Sequence, residues 1–242
     1  MKKCPYCGRP YKVLTLETPA FRQLVEVPRC DCLEEREKVR QARLERVQKI
    51  ARNRKAYKEA DFPQRLRGWR LGSGKKKVKL DSDLLKWVNR FQRYGKSLFF
   101  YGDTGTGKTT AAFAIGRTLL SRHYSVKFLN VPLFLLEIED SYSRGEHTAF
   151  EIIEQLLHHD LVIFDDFGRE KYTAKRLDTV YTIINSLYKD GRAVIFTAET
   201  SSLAELKKES GKFRGIFDRL REMCVFREFS GKSLRRPIDI FK

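Results

Sequence analysis

The stretch Tyr101-Gly-Asp-Thr-Gly-Thr-Gly-Lys-Thr-Thr110 constrains this chain more than any other. The apolar run Ser97–Tyr101 precedes it and the helix-forming run Ala111–Leu120 follows it. That is the strand, G-x-x-x-x-G-K-[ST], helix order of a phosphate-binding loop. Gly102, Gly105 and Gly107 allow backbone conformations closed to other residues. With Asp103, Thr104 and Thr106 between them, they leave a concave row of N–H groups for phosphate oxygens, reinforced by the N-terminus of the following helix. Lys108 reaches the β- and γ-phosphates, and the Thr109 hydroxyl ligates Mg²⁺. The candidate nucleotide contacts therefore run from Gly102 through Thr110.

Beyond the loop the chain alternates strand and helix. Val126–Asn130, Leu161–Asp166 and Ala193–Thr197 read as strands; Pro132 opens one helix, and Glu151–His158 and Thr179–Tyr188 form others. Continuous apolar strands between helices predict an α/β fold with a parallel sheet covered on both faces. Ligands bind at the carboxyl ends of such strands. Leu161-Val-Ile-Phe-Asp165-Asp166 ends there in two carboxylates. Asp165 is placed to hold Mg²⁺ through its water shell, and Asp166 to orient or deprotonate the attacking water.

The beginning of the chain carries different chemistry. Cys4-Pro-Tyr-Cys7-Gly8 and Cys30-Asp-Cys32 are two short cysteine pairs separated by 22 residues. This spacing suits a tetrahedral Zn²⁺ site, and four thiolates leave no open position for catalysis, so the site reads as structural. Lys12–Leu16 and Gln23–Val27 read as a hairpin that brings the pairs together. Cys224 reads as a buried strand residue. Leu33–Ala60 lacks Pro and Gly and carries ten Lys/Arg against five Glu, predicting a charged helix with a narrow apolar stripe at Leu44, Val47 and Ala51. Such a helix is a spacer, a docking helix or a nucleic-acid arm. Pro63, Gly68, Gly72 and Gly74 predict a linker over 61–79. Trp69 and Leu71 lie either near the nucleotide base or on the domain edge. A helix capped by Asp81 or Ser82 is predicted to run to about Tyr94. The expected organisation is a zinc module at 1–32, a basic helix at 33–60, a linker at 61–79 and an ATPase domain at 80–242.

The formal charge of +18 is uneven: residues 1–79 hold 23 Lys/Arg against 9 Asp/Glu, and residues 80–242 hold 26 against 22. Nucleic acid or an acidic protein surface is the expected partner of the basic third. No apolar run approaches the roughly 18 residues of a membrane span. Met-Lys-Lys-Cys-Pro at the start lacks the apolar stretch of a secretion signal. The chain is therefore expected to be soluble and cytoplasmic.

The order Gly-Asp-Thr-Gly-Thr-Gly-Lys-Thr, then Leu-Val-Ile-Phe-Asp-Asp-Phe-Gly-Arg-Glu170, then Phe217-Asp-Arg-Leu220, then Ser233-Leu-Arg235 resembles the DnaC/DnaI family of bacterial replicative helicase loaders. These are AAA+ ATPases, with the IstB-type transposition ATPases as close relatives. The resemblance covers roughly residues 61–236. It implies a P-loop ATPase of AAA+ type using ATP and Mg²⁺, self-association, and an N-terminal zinc module that docks on a DnaB-type hexameric helicase. It also implies delivery of that helicase to single-stranded DNA. Carried over by position, Lys108 and Asp166 are catalytic, Arg219 is the arginine finger, with Arg214 a second candidate, and Arg235 is the sensor 2 arginine. Val131–Tyr142, with Phe134, Tyr142, Lys127 and Arg144, corresponds to the region that contacts single-stranded DNA, although core packing accounts for Phe134 equally well. Where the family carries an Asn after the strand ending at Thr197, this chain has Glu199. An ionised carboxylate cannot donate a hydrogen bond there, which implies slow hydrolysis or a site used as a nucleotide-state switch. The alternatives are a transposition helper ATPase of the IstB type and a nucleotide-switched DNA-binding adaptor with little hydrolysis.

Overall fold

Alternating apolar strands and amphipathic helices leave few ways to bury both faces of a sheet, and the computed structural model adopts the parallel one. It describes residues 2–18, 21–28, 30–93, 95–145, 148–169, 173–202, 212–231 and 233–234. The chain divides into two compact units, 1–54 and 55–242.

In the first unit, β1 (Tyr11–Thr18) and β2 (Phe21–Pro28) pair antiparallel, from Tyr11 opposite Pro28 to Thr18 opposite Phe21. The apolar side chains Val13, Leu16 and Leu24 stay exposed, so the described side chains of the hairpin form no core of their own. Helix α1 (Cys32–Glu59) follows, and the division between the units falls within it. Val39, Leu44 and Val47 on α1 are exposed.

The second unit is built on β5 (Ser97–Gly102), β6 (Val126–Asn130), β7 (Leu161–Asp165), β8 (Val194–Glu199) and β9 (Cys224–Glu228). They form one five-stranded parallel sheet in the order β6-β7-β8-β5-β9. Phe99 lies opposite Phe196 on one side and Phe226 on the other, and Phe196 lies opposite Phe164. These rings stack at 5.8, 4.8 and 5.4 Å between centroids, an aromatic row across four strands. Each such pair contributes about 0.5–1.5 kcal/mol beyond its area burial. Against this face pack α4 (Val131–Arg144), α5 (Ala149–Leu157), α6 (Ala174–Asp190) and α7 (Lys212–Met223). The alternate strand residues Leu98, Phe100, Ile163 and Ile195 meet α2 (Ser82–Asn89) and α3 (Lys108–Ser121). Cys224 is buried at the start of β9, as its apolar neighbours predict.

Two expectations need correction. Helix α2, capped by the Asp81 carboxylate, ends at Asn89 rather than near Tyr94. Phe91 leaves the helix to pack edge-on against Trp87 and Tyr124. More consequentially, residues 61–79 are part of the second unit and not a linker outside it. Phe62 packs edge-on against Phe113 of α3 at 4.8 Å, and Leu66 is buried. A 3₁₀ turn (Gln64–Leu66) leads to β3 (Arg70–Leu71) and β4 (Lys77–Val78), which pair parallel. Arg117 of α3 donates to the carbonyls of Arg67 and Trp69. Glycine and proline punctuate this segment without loosening it, because Trp69, Leu71 and Val78 have apolar surface to bury against α3. No helix among the described residues is long and apolar enough to cross a membrane.

Candidate functional site

Parallel pairing brings all five strand ends to one edge of the sheet. Gly102 lies opposite Glu199, and Asn130 opposite Asp165. The loop leaves β5 at Gly102, whose φ is 147°, and a Cβ there would strike the Phe229 carbonyl oxygen. Only glycine fits that position. Gly107, at φ 100°, turns the chain into α3.

Lys108 is buried, and its ammonium donates 2.8 Å hydrogen bonds to the carbonyls of Gly102 and Asp103. Burial lowers its pKa, while Glu199, Asp166, Asp103 and Asp165 oppose that shift. Asp165 is also buried, and burial raises its pKa. A 2.6 Å hydrogen bond from Thr197 holds the carboxylate in place and opposes the shift, as does the nearby Thr109 hydroxyl. Thr109 and Asp165, the two residues read as Mg²⁺ ligands, are thus close enough for one to affect the other's charge.

Asp166 has φ +59°, the left-handed region, which costs a non-glycine residue of order 1 kcal/mol. The Thr197 hydroxyl accepts its N–H at 3.1 Å, and its carboxylate accepts from the Asn130 amide at 3.2 Å. These bonds hold the strained turn and direct Asp166 into a cavity of about 250 Å³. The polar end of that cavity is Lys108, Thr109, Asp166 and Glu199, and the apolar side is Leu66, Trp69 and Leu234. Glu199 accepts a 2.7 Å hydrogen bond from Thr104, and the Arg169 guanidinium lies 3.8 Å from it and 3.9 Å from Asp166. Phosphates fit the polar end, and an aromatic base fits between the apolar side chains. A larger hollow of about 420 Å³ between α4, α5 and α6 shares no residue with the loop.

The sequence missed Thr197, Asn130 and Arg169, and the apolar wall of Leu66 and Leu234. Thr197 is an ordinary strand residue until pairing of β7 with β8 sets it beside Asp165. Asn130 is legible as the N-cap of α4 but not as a partner of Asp166.

Arg219 is half-buried on α7, where its guanidinium donates to Asn185 at 2.8 Å and to the Gly215 carbonyl at 3.0 Å and lies over the Tyr181 ring. Arg214 is exposed. Arg235 lies outside the described residues. The residues expected to contact single-stranded DNA each have a partner within the chain. Phe134 packs on the core near Phe164, Tyr142 lies half-buried under Lys175, Arg144 pairs with Asp140, and Lys127 pairs with Asp61. Packing, the alternative open for Phe134, accounts for both aromatics.

In the first unit the Sγ atoms of Cys4, Cys7, Cys30 and Cys32 all lie within 4.8 Å of one another, and all four thiols are free. A tetrahedral ZnS₄ centre with Zn–S of about 2.3 Å puts its sulfurs roughly 3.8 Å apart, so the cluster fits Zn²⁺. Backbone N–H groups of Tyr6 and Cys7 pull the Cys4 thiol down to about 7, and the neighbouring Cys7 pushes Cys30 up to about 12.

A parallel sheet with a phosphate loop, a strand-end carboxylate pair and a lysine between them defines an ATP-binding P-loop protein of AAA+ architecture. The family description is narrower. This chain belongs to the IstB-like ATP binding proteins, whose family model matches residues 17–238. It is 26% identical over 166 residues to the replicative helicase loader DnaI of Bacillus subtilis, covering 64% of this chain and 52% of that protein. It is 25% identical over 118 residues to a protein named for ATP binding in an insertion sequence of Mycobacterium tuberculosis, covering 49% of this chain and 45% of that one. The chain thus spans about half the length of these two curated relatives. Its fold matches a crystal structure of DnaI with a TM-score of 0.57 at 20% identity, over 72% of this chain and 95% of that one. It matches the DnaC helicase loader with a TM-score of 0.54 at 19% identity, over 61% and 86%.

Proposed function

We propose that this chain is an ATP-hydrolysing loader that places a DnaB-type hexameric replicative helicase on single-stranded DNA in the cytoplasm. The observation that carries the reading is the presence, in one chain, of a four-thiol unit separate from a phosphate-loop site. The likeness to the Bacillus loader supports it. In this reading the zinc unit docks on the helicase, and its metal is structural, supplying free energy that the coreless hairpin lacks.

In the second unit Lys108 takes the β- and γ-phosphates, and Gly102 to Thr110 wrap them. Thr109 and Asp165 would hold Mg²⁺, and the ion would supply positive charge against the phosphates. Asp166, braced by Asn130 and Thr197, orients the attacking water. Arg219 or Arg214 serves a neighbouring subunit's site, which requires self-association, and Arg235 serves its own. The Glu199 carboxylate works against the phosphates and makes turnover slow. Co-purification with a DnaB-type helicase, with and without ATP, tests the reading. An ATP-dependent complex that is lost on Cys7→Ser supports it, and no complex in either condition overturns it.

The family membership favours a second reading, a target-choosing ATPase of transposition. That protein would form filaments on duplex DNA and bind a transposase rather than a helicase. A nucleotide-switched adaptor with little hydrolysis would instead lose assembly with Lys108→Ala and be unaffected by Asp166→Ala.

A further inference from the structure

Residues 62–80 carry seven cationic side chains, Arg65, Arg67, Arg70, Lys75 to Lys77 and Lys79, and no Asp or Glu. All seven are exposed. Among the described residues no carboxylate lies within ion-pair distance of any of them. Elsewhere in the same unit Lys86, Lys127, Arg144, Arg176 and Arg192 each have a carboxylate partner. Arg90, Lys96 and Lys189 also have no carboxylate within ion-pair distance among the described residues, but they are scattered, whereas these seven fall within one short segment. Of the seven, only Arg65 lines the nucleotide cavity.

That segment is held in a definite shape. The N–H of Arg70 bonds to the Lys76 carbonyl, that of Gly72 to Val78, and that of Lys77 to Gly74. Lys76 itself sits at φ +52° in the connecting turn. Leu71 lies opposite Val78, and both pack on the core. Arg70 lies opposite Lys77, and both point to solvent. Like charges directly across a strand pair are destabilising. A ladder of only two residue pairs thus sets two cations side by side, and the turn between them adds Lys75 and Lys76. A bound polyanion relieves that repulsion.

Two polyanions fit by charge, nucleic acid and an acidic protein. The segment has no exposed large apolar residue. Protein–protein interfaces are depleted in Lys and built on apolar or aromatic anchors, whereas protein–nucleic acid interfaces are polar and strongly positive. Trp69 is half-buried against the core and lines the nucleotide cavity, so it offers no stacking platform outward. We propose that the exposed face of the β3–β4 segment binds the phosphate backbone of nucleic acid without regard to sequence. The inference does not rest on the loader reading, since it requires no helicase and applies equally to single and double strands.

The test uses the full chain and fluorescein-labelled oligonucleotides of arbitrary sequence, single-stranded and duplex, with anisotropy read across a salt series. Neutralising Lys75, Lys76 and Lys77 together to Gln removes up to three phosphate contacts. The slope of log K against log salt then becomes shallower by about 2, with at least tenfold weaker binding at low salt. ATP affinity stays unchanged, since none of the three lines the nucleotide cavity, and the melting temperature does not fall, since removing the Lys77 charge relieves its repulsion with Arg70. A control variant neutralises the paired cations Lys55, Lys86 and Arg144 for the same net charge change. An unaltered slope in the first variant, or an equal loss in the control, overturns the proposal. So does polyglutamate displacing the oligonucleotide as efficiently per charge as unlabelled DNA, which would assign the face to an acidic protein.

Discussion

The Thr104 hydroxyl donates a 2.7 Å hydrogen bond to Oε1 of Glu199, tying the phosphate loop to the end of β8 across 95 residues of chain. The Arg169 guanidinium, 3.8 Å away, offsets only part of the carboxylate's charge because it is about half exposed to solvent. An ionised carboxylate here repels incoming phosphates. Glu199→Gln keeps an acceptor for Thr104 and removes the charge. ATP affinity is expected to rise roughly tenfold, corresponding to about 1.4 kcal/mol of removed repulsion, as read by isothermal titration. Steady-state turnover is expected to rise with Glu199→Asn, and an unchanged rate would remove Glu199 as the brake.

Burial raises the pKa of Asp165, so the folded state binds a proton more readily than the unfolded chain. Between the ordinary carboxylate range and that raised value, the folded protein loses stability as pH rises. Below the window there is no penalty, and above it the penalty is complete. Asp165→Asn is therefore expected to melt a few degrees higher than the parent at pH 7, and the gap should close as pH falls below the ordinary carboxylate range. The same variant should lose Mg²⁺-dependent ATP binding, a cost typical of removing a strained functional charge. Thermal melts across pH, without nucleotide, read the effect.

Arg219 is bonded to Asn185 and Gly215 and lies over Tyr181, so it joins α7 to α6. Arg219→Ala should cost about 1–2 kcal/mol, lowering the melting temperature by roughly 4 °C. Arg214→Ala, on the exposed side of α7, should leave the melt unchanged. If Arg214 is the residue that reaches a neighbouring site, only concentration-dependent ATPase activity falls with that variant. Mixing Arg214→Ala with Lys108→Ala protein would then restore part of the rate, since each supplies what the other lacks.

Four sulfurs within 4.8 Å of one another lead to an expected stoichiometry of one zinc per chain. Because Val13, Leu16 and Leu24 of the hairpin are exposed, no apolar core among the described residues replaces the metal when it is removed. A chelator, or Cys7→Ser, should expose the first unit to protease up to α1. ATP binding by residues 55–242 should persist, since none of the cavity's lining residues belongs to the first unit.

Much of this protein was legible in short stretches of sequence. Gly102 to Thr109, the Asp165–Asp166 pair and the two cysteine pairs each carry their chemistry at fixed local spacing. Such spacing survives in a strand end, a tight turn or a knuckle whatever else the chain does. The alternation of apolar strands with helices likewise determined a parallel sheet, because a strand buried on both faces must be apolar throughout. The tertiary structure decided what depends on residues far apart in the chain. Strand order put Thr197 beside Asp165, and Asn130 beside Asp166. Apolar burial on α3 turned the glycine-rich segment at 61–79 from an expected linker into a wall of the nucleotide cavity. Helix packing engaged Arg219 with its own chain, and the closing of β8 against β5 brought the Glu199 carboxylate onto Thr104. No local pattern encodes these relationships, since each is set by which surfaces must be buried together.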